Sequence, residues 1–385
     1  MNKKHVCVVT GTRAEYNYLK LIIQKIINSE KLKLSLLITG MHLLKKYGHT
    51  IDIIIKDNFP ITEKIPMYDE NDLSEKSMGR AVGRAIIHFT EAFYKYKPDI
   101  LLVLGDRLEP LAAVISASTL SIPIAHIHGG DITGSIDENI RHAITKLSHI
   151  HFPATKKSYE RIKLLGENPD HIFNVGSPTI DNILKERRLN KKDIFEKFNL
   201  NPDKKSCLCI QHPDVFKADK AGEYMKITLQ VLKDLDLQVI IIYPNNDYGS
   251  QLIIKEIEDN AAHKKFRIYK NLERNDYLSL FENVDVLIGN SSSGLIESPI
   301  FHLPVVNIGD RNKGRETAEN VIDVPYDYVK IKNAVIKALS YEFKKFCETV
   351  ENPYGKGDAS DKIIKILEEL AVNEDLLIKK LTYEV

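Results

Sequence analysis

Apolar residues fall along this chain in two alternating rhythms. Short, nearly unbroken runs rich in β-branched residues are separated by longer stretches with helical spacing. Val6–Thr10, Leu34–Thr39, Ile100–Leu104, Ile122–Ile127 and Ile172–Val175 read as strands of the first half, with helices over Tyr16–Asn28, Ser74–Tyr96 and Lys156–Gly166. Such alternation predicts βαβ units, and apolar runs without polar interruption predict a parallel sheet covered on both faces. The rhythm restarts after Asn201-Pro202. Cys207–Gln211, Val239–Tyr243, Arg267–Tyr269, Val284–Ile288 and Val305–Ile308 read as strands there. Met225–Leu235, Ser250–Ala262, Tyr277–Glu282 and Lys332–Leu339 read as the helices between them. The chain is therefore expected to be an α/β protein of two doubly wound, Rossmann-like domains facing a central cleft. The boundaries read as 1–178 for the first domain, 179–204 for a charged helical crossover, 205–370 for the second domain and 371–385 for a tail. Ligands of such sheets sit outside the carboxyl ends of the strands, so the cleft is the expected site.

Composition narrows the class. The chain has 385 residues, 43% hydrophobic and 28% charged, as globular proteins do and disordered ones do not. Lys+Arg 54 against Asp+Glu 53 leaves a net charge of +1. No basic excess points to nucleic acid or an anionic membrane. Four cysteines are too few for a disulfide scaffold and fit a reducing cytoplasm. No segment is long and apolar enough to span a bilayer, and the run His5–Thr10 is too short for a signal peptide.

Five motifs follow strands. Gly11-Thr12-Arg13-Ala14-Glu15 offers backbone N–H groups and a cation, which favour a phosphate, although the dinucleotide fingerprint is absent. The alternative is an ordinary strand-to-helix turn. Gly105-Asp106-Arg107-Leu108-Glu109-Pro110 puts Asp106, a candidate acid or base, on the ligand side of the sheet, while Glu109-Pro110 reads as a helix start with Glu109 as a cap. The densest group is His126-Ile127-His128-Gly129-Gly130-Asp131, then Ser135-x-x-Glu138 with Asp137, then Arg141-His142. Three carboxylates and three imidazoles lie within 17 residues, and carboxylates brought together divide into an acid and a base. Against this, Ser135 and Glu138 form a capping-box pattern, and Asp137→Arg141 and Glu138→His142 have the spacing of helix-supporting pairs. The His spacing is too generic to argue for a metal, so none is expected.

In the second half, Gln211-His212-Pro213 places an imidazole at a strand end. Gly289-Asn290-Ser291-Ser292-Ser293-Gly294-Leu295-Ile296-Glu297 offers hydroxyls and N–H groups to an anion, with Glu297 able to accept from ribose hydroxyls. A serine-rich helix cap is the plainer account. Gly309-Asp310-Arg311-Asn312-Lys313-Gly314-Arg315 adds cations within reach of a diphosphate. Together these motifs favour a sugar nucleotide bound across the cleft.

The motifs resemble those of the UDP-N-acetylglucosamine 2-epimerases, and more closely of the hydrolysing branch that feeds sialic acid synthesis. The carriers are GTRAEY (11–16), LGDRLE (104–109), HIHGGDITGSIDENIRHAITKLSHIHF (126–152), GSP (176–178), GNSSSGLIES (289–298) and NIGDRNKGRET (307–317), so the resemblance runs from about Lys4 to Glu369. It implies a fold of the glycosyltransferase-B type, the nucleotide mainly on the second domain, and no cofactor or metal. It implies that the C2 proton of the sugar is removed, UDP leaves from C1 to give a 2-acetamidoglucal, and water then adds to give free N-acetylmannosamine. It matches Asp106, Asp131, Asp137 or Glu138, and His212 to catalytic acids and bases. Arg13, Ser291, Ser292, Glu297 and Arg311 match nucleotide contacts, with Ser293 and Gly294 in the same loop, and Arg107 matches a residue near sugar or phosphate. Asn17 and Asp131 stand where many hydrolysing members carry Ser and Glu, and both departures bear on the choice of sugar. The first reading is UDP-N-acetylglucosamine. The alternative is a UDP- or GDP-linked 2,4-diacetamido-2,4,6-trideoxyglucose of legionaminic acid synthesis, and a glycosyltransferase or a sensor on the same fold ranks below both. The resemblance also implies a cytoplasmic homodimer or homotetramer.

Overall fold

The computed structural model describes residues 3–45, 48–72, 74–132, 137–245 and 247–383, the side chains of Val215 and Phe216 excepted. The first sheet contains β1 (Lys4–Thr10), β2 (Leu32–Thr39), β3 (Glu63–Ile65), β4 (Ile100–Leu104), β5 (Ile124–Ile127) and β6 (Ile150–Phe152). The second contains β7 (Ser206–Ile210), β8 (Gln238–Ile242), β9 (Phe266–Tyr269), β10 (Val286–Gly289), β11 (Val305–Ile308) and β12 (Val321–Val324). Their orders are β3-β2-β1-β4-β5-β6 and β12-β11-β10-β7-β8-β9, and every pairing is parallel. Each is the doubly wound order in which the chain reverses direction beside its first strand, between β1 and β4 and between β7 and β10. That reversal is where loops at the carboxyl ends part and leave a crevice.

The period-2 alternation of side chains explains why these strands are apolar throughout. In β1, Val6 and Val8 face one buried cluster, with Leu19, Ile22 and Ile23 of the helix Arg13–Asn28. Cys7 and Val9 face the opposite cluster, with Phe89 and Phe93 of the helix Ser77–Tyr96. In β7, Cys207 and Cys209 point one way and Leu208 and Ile210 the other. All four cysteines are buried free thiols.

The chain divides into two compact units, 1–184 with 354–385, and 185–353. This departs from the boundaries read in the sequence. The stretch 179–204 is helical as read, but in two helices, Pro178–Lys185 and Lys191–Lys197, whose apolar residues go to different cores. Ile180 and Ile183 are buried in the first unit, whereas Ile194 and Phe195 join the core around Leu208 and Leu287. Residues 354–370 likewise belong to the first unit, because Ile363 and Leu367 of the helix Ala359–Glu369 pack with Ile22 and Ile26. Asp181 fixes that return by accepting the N–H groups of Ala359 (3.1 Å) and Ser360 (2.5 Å).

Ile172–Val175 is not a strand. Ile172 and Val175 are buried, but the segment meets the chain around β6 through one bridge, Ile172 with His151, and the N–H groups of Phe173 (to the His151 carbonyl, 2.9 Å) and Val175 (to the Pro153 carbonyl, 3.3 Å), short of a ladder. The edge position is taken instead by β6, where a histidine interrupts the apolar run. The short edge strands β3 and β12 also escape the pattern, since an edge strand needs less apolar surface than a central one.

Candidate active site

The carboxylate cluster is built from loops that leave β4 and β5. Gly105 ends β4 with φ +80°, a conformation that favours glycine and turns the chain so that Asp106 follows the strand end. Asp106 is ion-paired with Arg141 of the helix Asp137–Leu147. The same guanidinium donates to the carbonyl oxygen of Asp131 at 2.6 Å. Arg141, itself buried, therefore ties the loop after β4 to the loop after β5.

Asp131 is held on both carboxylate oxygens. His128 Nδ1 lies 3.0 Å from Oδ2, and Ser158 Oγ donates to Oδ1 at 2.6 Å. His128 also contacts Ser177 Oγ through Nε2 at 2.9 Å, so the imidazole orients the carboxylate and is itself oriented. The glycines before Asp131 are required by the protein's own packing. A Cβ on Gly130 would lie 2.4 Å from the carbonyl oxygen of Ser158, and one on Gly129 would lie 3.0 Å from His126 Nδ1 and Thr145 Oγ1.

His126 is a satisfied core histidine, with Nε2 2.8 Å from the Gly105 carbonyl and Nδ1 3.2 Å from Thr145 Oγ1. Burial lowers its pKa to about 3. Asp137 is exposed at the helix start, and its charge, after those of Glu109, Glu15 and Tyr68, helps hold Arg107 protonated against burial. Glu138 makes the expected pair with His142 at 3.7 Å. Ser135, its proposed capping partner, lies outside the described residues. Arg13 and Asn17 are exposed on the first helix. Thus Asp106, Asp131 and Arg141 are drawn into one network, with Asp137, Glu138 and Arg107 beside it.

Two readings of this half are corrected. Glu109 is not a helix cap: it is fully buried, its Oε1 accepts from Tyr68 O–H at 3.0 Å, and Arg107 Nε stands 3.4 Å from Oε2. Nor are the N–H groups of Gly11 and Thr12 open to a phosphate. Glu15 Oε2 takes both, at 2.7 and 3.1 Å, in a capping box with Thr12. Burial, and then the charge of Glu109, push the Glu15 carboxyl up to about 8. The Glu15–Glu109 pair was not identifiable as a buried unit from either motif. The only signal is the pair of glycines, Gly11 and Gly40, that leave it room.

In the second unit, His212 follows β7. The Asn290 side chain clamps its backbone, accepting from His212 N–H at 2.6 Å and donating to its carbonyl at 2.9 Å. His212 Nδ1 accepts the N–H of Asn245 at 3.1 Å, which leaves the proton on Nε2 in the neutral ring. Burial and then the charge of Arg311 lower its pKa to about 4. At neutral pH His212 is therefore a fixed hydrogen-bond donor rather than a ready base.

Beyond β10, Tyr277 O–H, Ser293 Oγ and Ser291 Oγ form a hydroxyl chain with spacings of 2.6 and 2.7 Å. Ser292 stands at the start of the one-turn helix Ser293–Ile296 but makes no side-chain cap, so the serines are not there to cap it. Gly294 is required by packing, since a Cβ would lie 2.7 Å from Leu287 Cδ2. Glu297 is engaged by Arg274 at 3.2 Å, and burial raises its pKa. Arg311 donates to the Asn290 carbonyl at 3.2 Å, beside His212. His212, Asn290 and Arg311 thus form one group, with the hydroxyl chain following Asn290 in sequence. Among the described residues no cluster of three or more His, Cys, Asp and Glu is arranged to hold a metal, and no helix is long and apolar enough to cross a membrane.

Two parallel sheets in Rossmann order, each with charged loops at its carboxyl end, define an α/β protein of the glycosyltransferase-B type. The family model described as UDP-N-acetylglucosamine 2-epimerase matches residues 24–368, and the chain belongs to that family. It is similar to UDP-N,N'-diacetylbacillosamine 2-epimerase (hydrolyzing) of Legionella pneumophila, 39% identical over 377 residues and 98% of each chain. It is also similar to GDP/UDP-N,N'-diacetylbacillosamine 2-epimerase (hydrolyzing) of Campylobacter jejuni, 36% identical over 99% of each chain. The UDP-N-acetylglucosamine 2-epimerase of Neisseria meningitidis is 31% identical over 88% of each. Among solved structures, UDP-GlcNAc 2-epimerase from Neisseria meningitidis bound to UDP-GlcNAc superimposes with a TM-score of 0.78 at 21% identity, covering 94% of this chain and 99% of that one.

Proposed function

We propose that the chain is a hydrolysing 2-epimerase whose substrate is a UDP- or GDP-linked 2,4-diacetamido-2,4,6-trideoxyglucose, rather than UDP-N-acetylglucosamine. The observation that carries this reading is full-length similarity, at 39% and 36% identity, to two hydrolysing diacetylbacillosamine 2-epimerases. Asp131 supports it. A carboxylate one methylene shorter than the usual glutamate leaves room at the sugar, and His128 and Ser158 fix it where it stands.

In this mechanism a carboxylate of the group Asp106, Asp131, Asp137 and Glu138 takes the C2 proton. The C2–H electrons form the C1=C2 bond, and the C1–O bond breaks with its pair leaving on the nucleoside diphosphate. A second acid then gives a proton to C2 from the opposite face, water adds its oxygen to C1, and the proton that water loses returns to the conjugate base of that acid. A C–H acid this weak needs a positioned base, and a departing diphosphate needs fixed donors and cations. In the second unit Arg311 and the Nε2–H of His212 supply those, with Ser291, Ser292 and Ser293 receiving the nucleotide, and in the first unit Arg107 stands with the carboxylates.

The 31% identical Neisseria enzyme keeps UDP-N-acetylglucosamine as the second reading. Proton NMR in D₂O with each nucleotide sugar separates them. Release of nucleoside diphosphate with a free 2-epimeric diacetamido sugar deuterated at C2 is the expected result. Faster turnover of UDP-N-acetylglucosamine would select the second reading, and transfer of sugar to an added acceptor would reject both.

A further inference from the structure

The end of the chain reaches the back of the helix that opens on the carboxylate cluster. Leu376, in the short helix Glu374–Leu377, is buried in the first unit's core. Three residues on, Lys379 sends its Nζ to the carbonyl oxygens of Lys146 (2.6 Å) and Ser148 (2.5 Å). These lie at the C-terminal end of the helix Asp137–Leu147, where the last carbonyls lack partners within the helix. An ammonium there satisfies them and complements the helix dipole. The same Nζ stands 2.6 Å from Glu167, which also receives Lys146 at 2.6 Å and His151 at 3.1 Å. Glu167 is 2% exposed, and although burial opposes its charge, those hydrogen bonds hold its carboxyl down at about 2. The anchor thus joins a buried carboxylate to an ammonium whose own side chain is 27% exposed.

We propose that Lys379 is a positioning residue for the carboxylate cluster. An 11-residue helix is a stiff rod of roughly 16 Å, so fixing its C-terminal end fixes the axial placement of Asp137, Glu138 and Arg141 at the other. Arg141 passes that placement to Asp106 and Asp131. The inference rests on the reading that this cluster performs the epimerase chemistry.

The test compares K379M, K379R and K379C. The native cysteines are all buried, so 2-bromoethylamine will address the new thiol. The thiolate displaces bromide and leaves an ammonium at nearly the lysine distance. Expected for K379M and unmodified K379C is a roughly tenfold fall in kcat with KM within about twofold of the parent. Deuterium uptake at 137–148 should be faster, and aminoethylation of K379C should restore both. K379R, which keeps a cation, should fall between. K379C serves alone if K379M does not fold. Unchanged kcat, or unchanged exchange over 137–148, overturns the proposal whatever happens to Tm. If the parent protein turns over neither nucleotide sugar, the functional reading fails, and the exchange data alone then uphold or overturn the anchor.

Discussion

Glu109 shows how a single carboxylate shapes its surroundings. A Cβ on Gly11 or on Gly40 would lie 2.6 Å from its side-chain atoms, so both glycines are space reserved for it. Glu15, beside it, titrates at about 8 in the folded protein against an ordinary 4.5. Between those values the folded state keeps a proton that the unfolded state releases, so stability falls as pH rises through the window. Glu15→Gln retains an acceptor for the capping box and removes the titration. From pH 6.5 to 8, above the range of the buried imidazoles, its urea midpoint should decline less than the parent's, and parallel declines would refute the assignment. Asp131 carries a second prediction. Asp131→Glu should shift the ratio of kcat/KM toward UDP-N-acetylglucosamine by about tenfold, worth about 1.4 kcal/mol in relative transition-state binding. An unmoved ratio would remove Asp131 from the choice of sugar. Asp106 and Asp131 stood out in the sequence because each follows a strand that the hydrophobic pattern identifies. Glu109 did not, since a Glu-Pro helix start describes only local backbone. Its burial depends on Tyr68, Gly40 and Gly11, which other loops supply.

At the level of elements, caps and returns decide what packs where. The Asp181 carboxylate receives two N–H groups from the start of Ala359–Glu369, nearly 180 residues later in the chain. Asp181→Ala should cost about 1–2 kcal/mol, the upper range for a cap, because the site is buried. Denaturant unfolding measures it, and a loss below about 0.3 kcal/mol would mean other groups cap that helix. The central strands could be read from the sequence because burial on both faces demands unbroken apolar runs. The edge strand β9 could also be read, but β3 and β6 could not, since Glu63-Lys64-Ile65 and Ile150-His151-Phe152 carry polar residues within three positions. The charged composition of 179–204 suggested a crossover outside both domains, but the buried Ile194, Phe195 and Phe198 outweigh it. Such sparse apolar anchors are visible only once their partner core exists.

Across the whole molecule, buried imidazoles set the acid limit. His42, His149 and His212 are lowered to about 4 and His126 to about 3, in each case chiefly by burial. Below pH 6.5 the unfolded chain gains protons on these residues that the folded chain does not. Stability should therefore rise with pH between about 4 and 6.5. Proton uptake on unfolding, measured by calorimetry in buffers of different ionisation enthalpy, should be positive in that range. Zero uptake would contradict it.

The return of 354–385 to the first unit also bears on how the molecule comes into being. The segment 185–353 is continuous, and all its core residues are in hand once its own last helix has been made. The first unit, though it begins earlier, lacks Ile363, Leu367 and Leu376 until residues 359–377 have left the ribosome. The part synthesised second should thus be the first to finish folding, reversing the usual N-to-C order. Nascent chains stalled at successive lengths should show protease resistance over 185–353 before 1–184 acquires it. For much of its synthesis the carboxylate-bearing half would be an incomplete scaffold awaiting its last strap, exposed to the cell's chaperones.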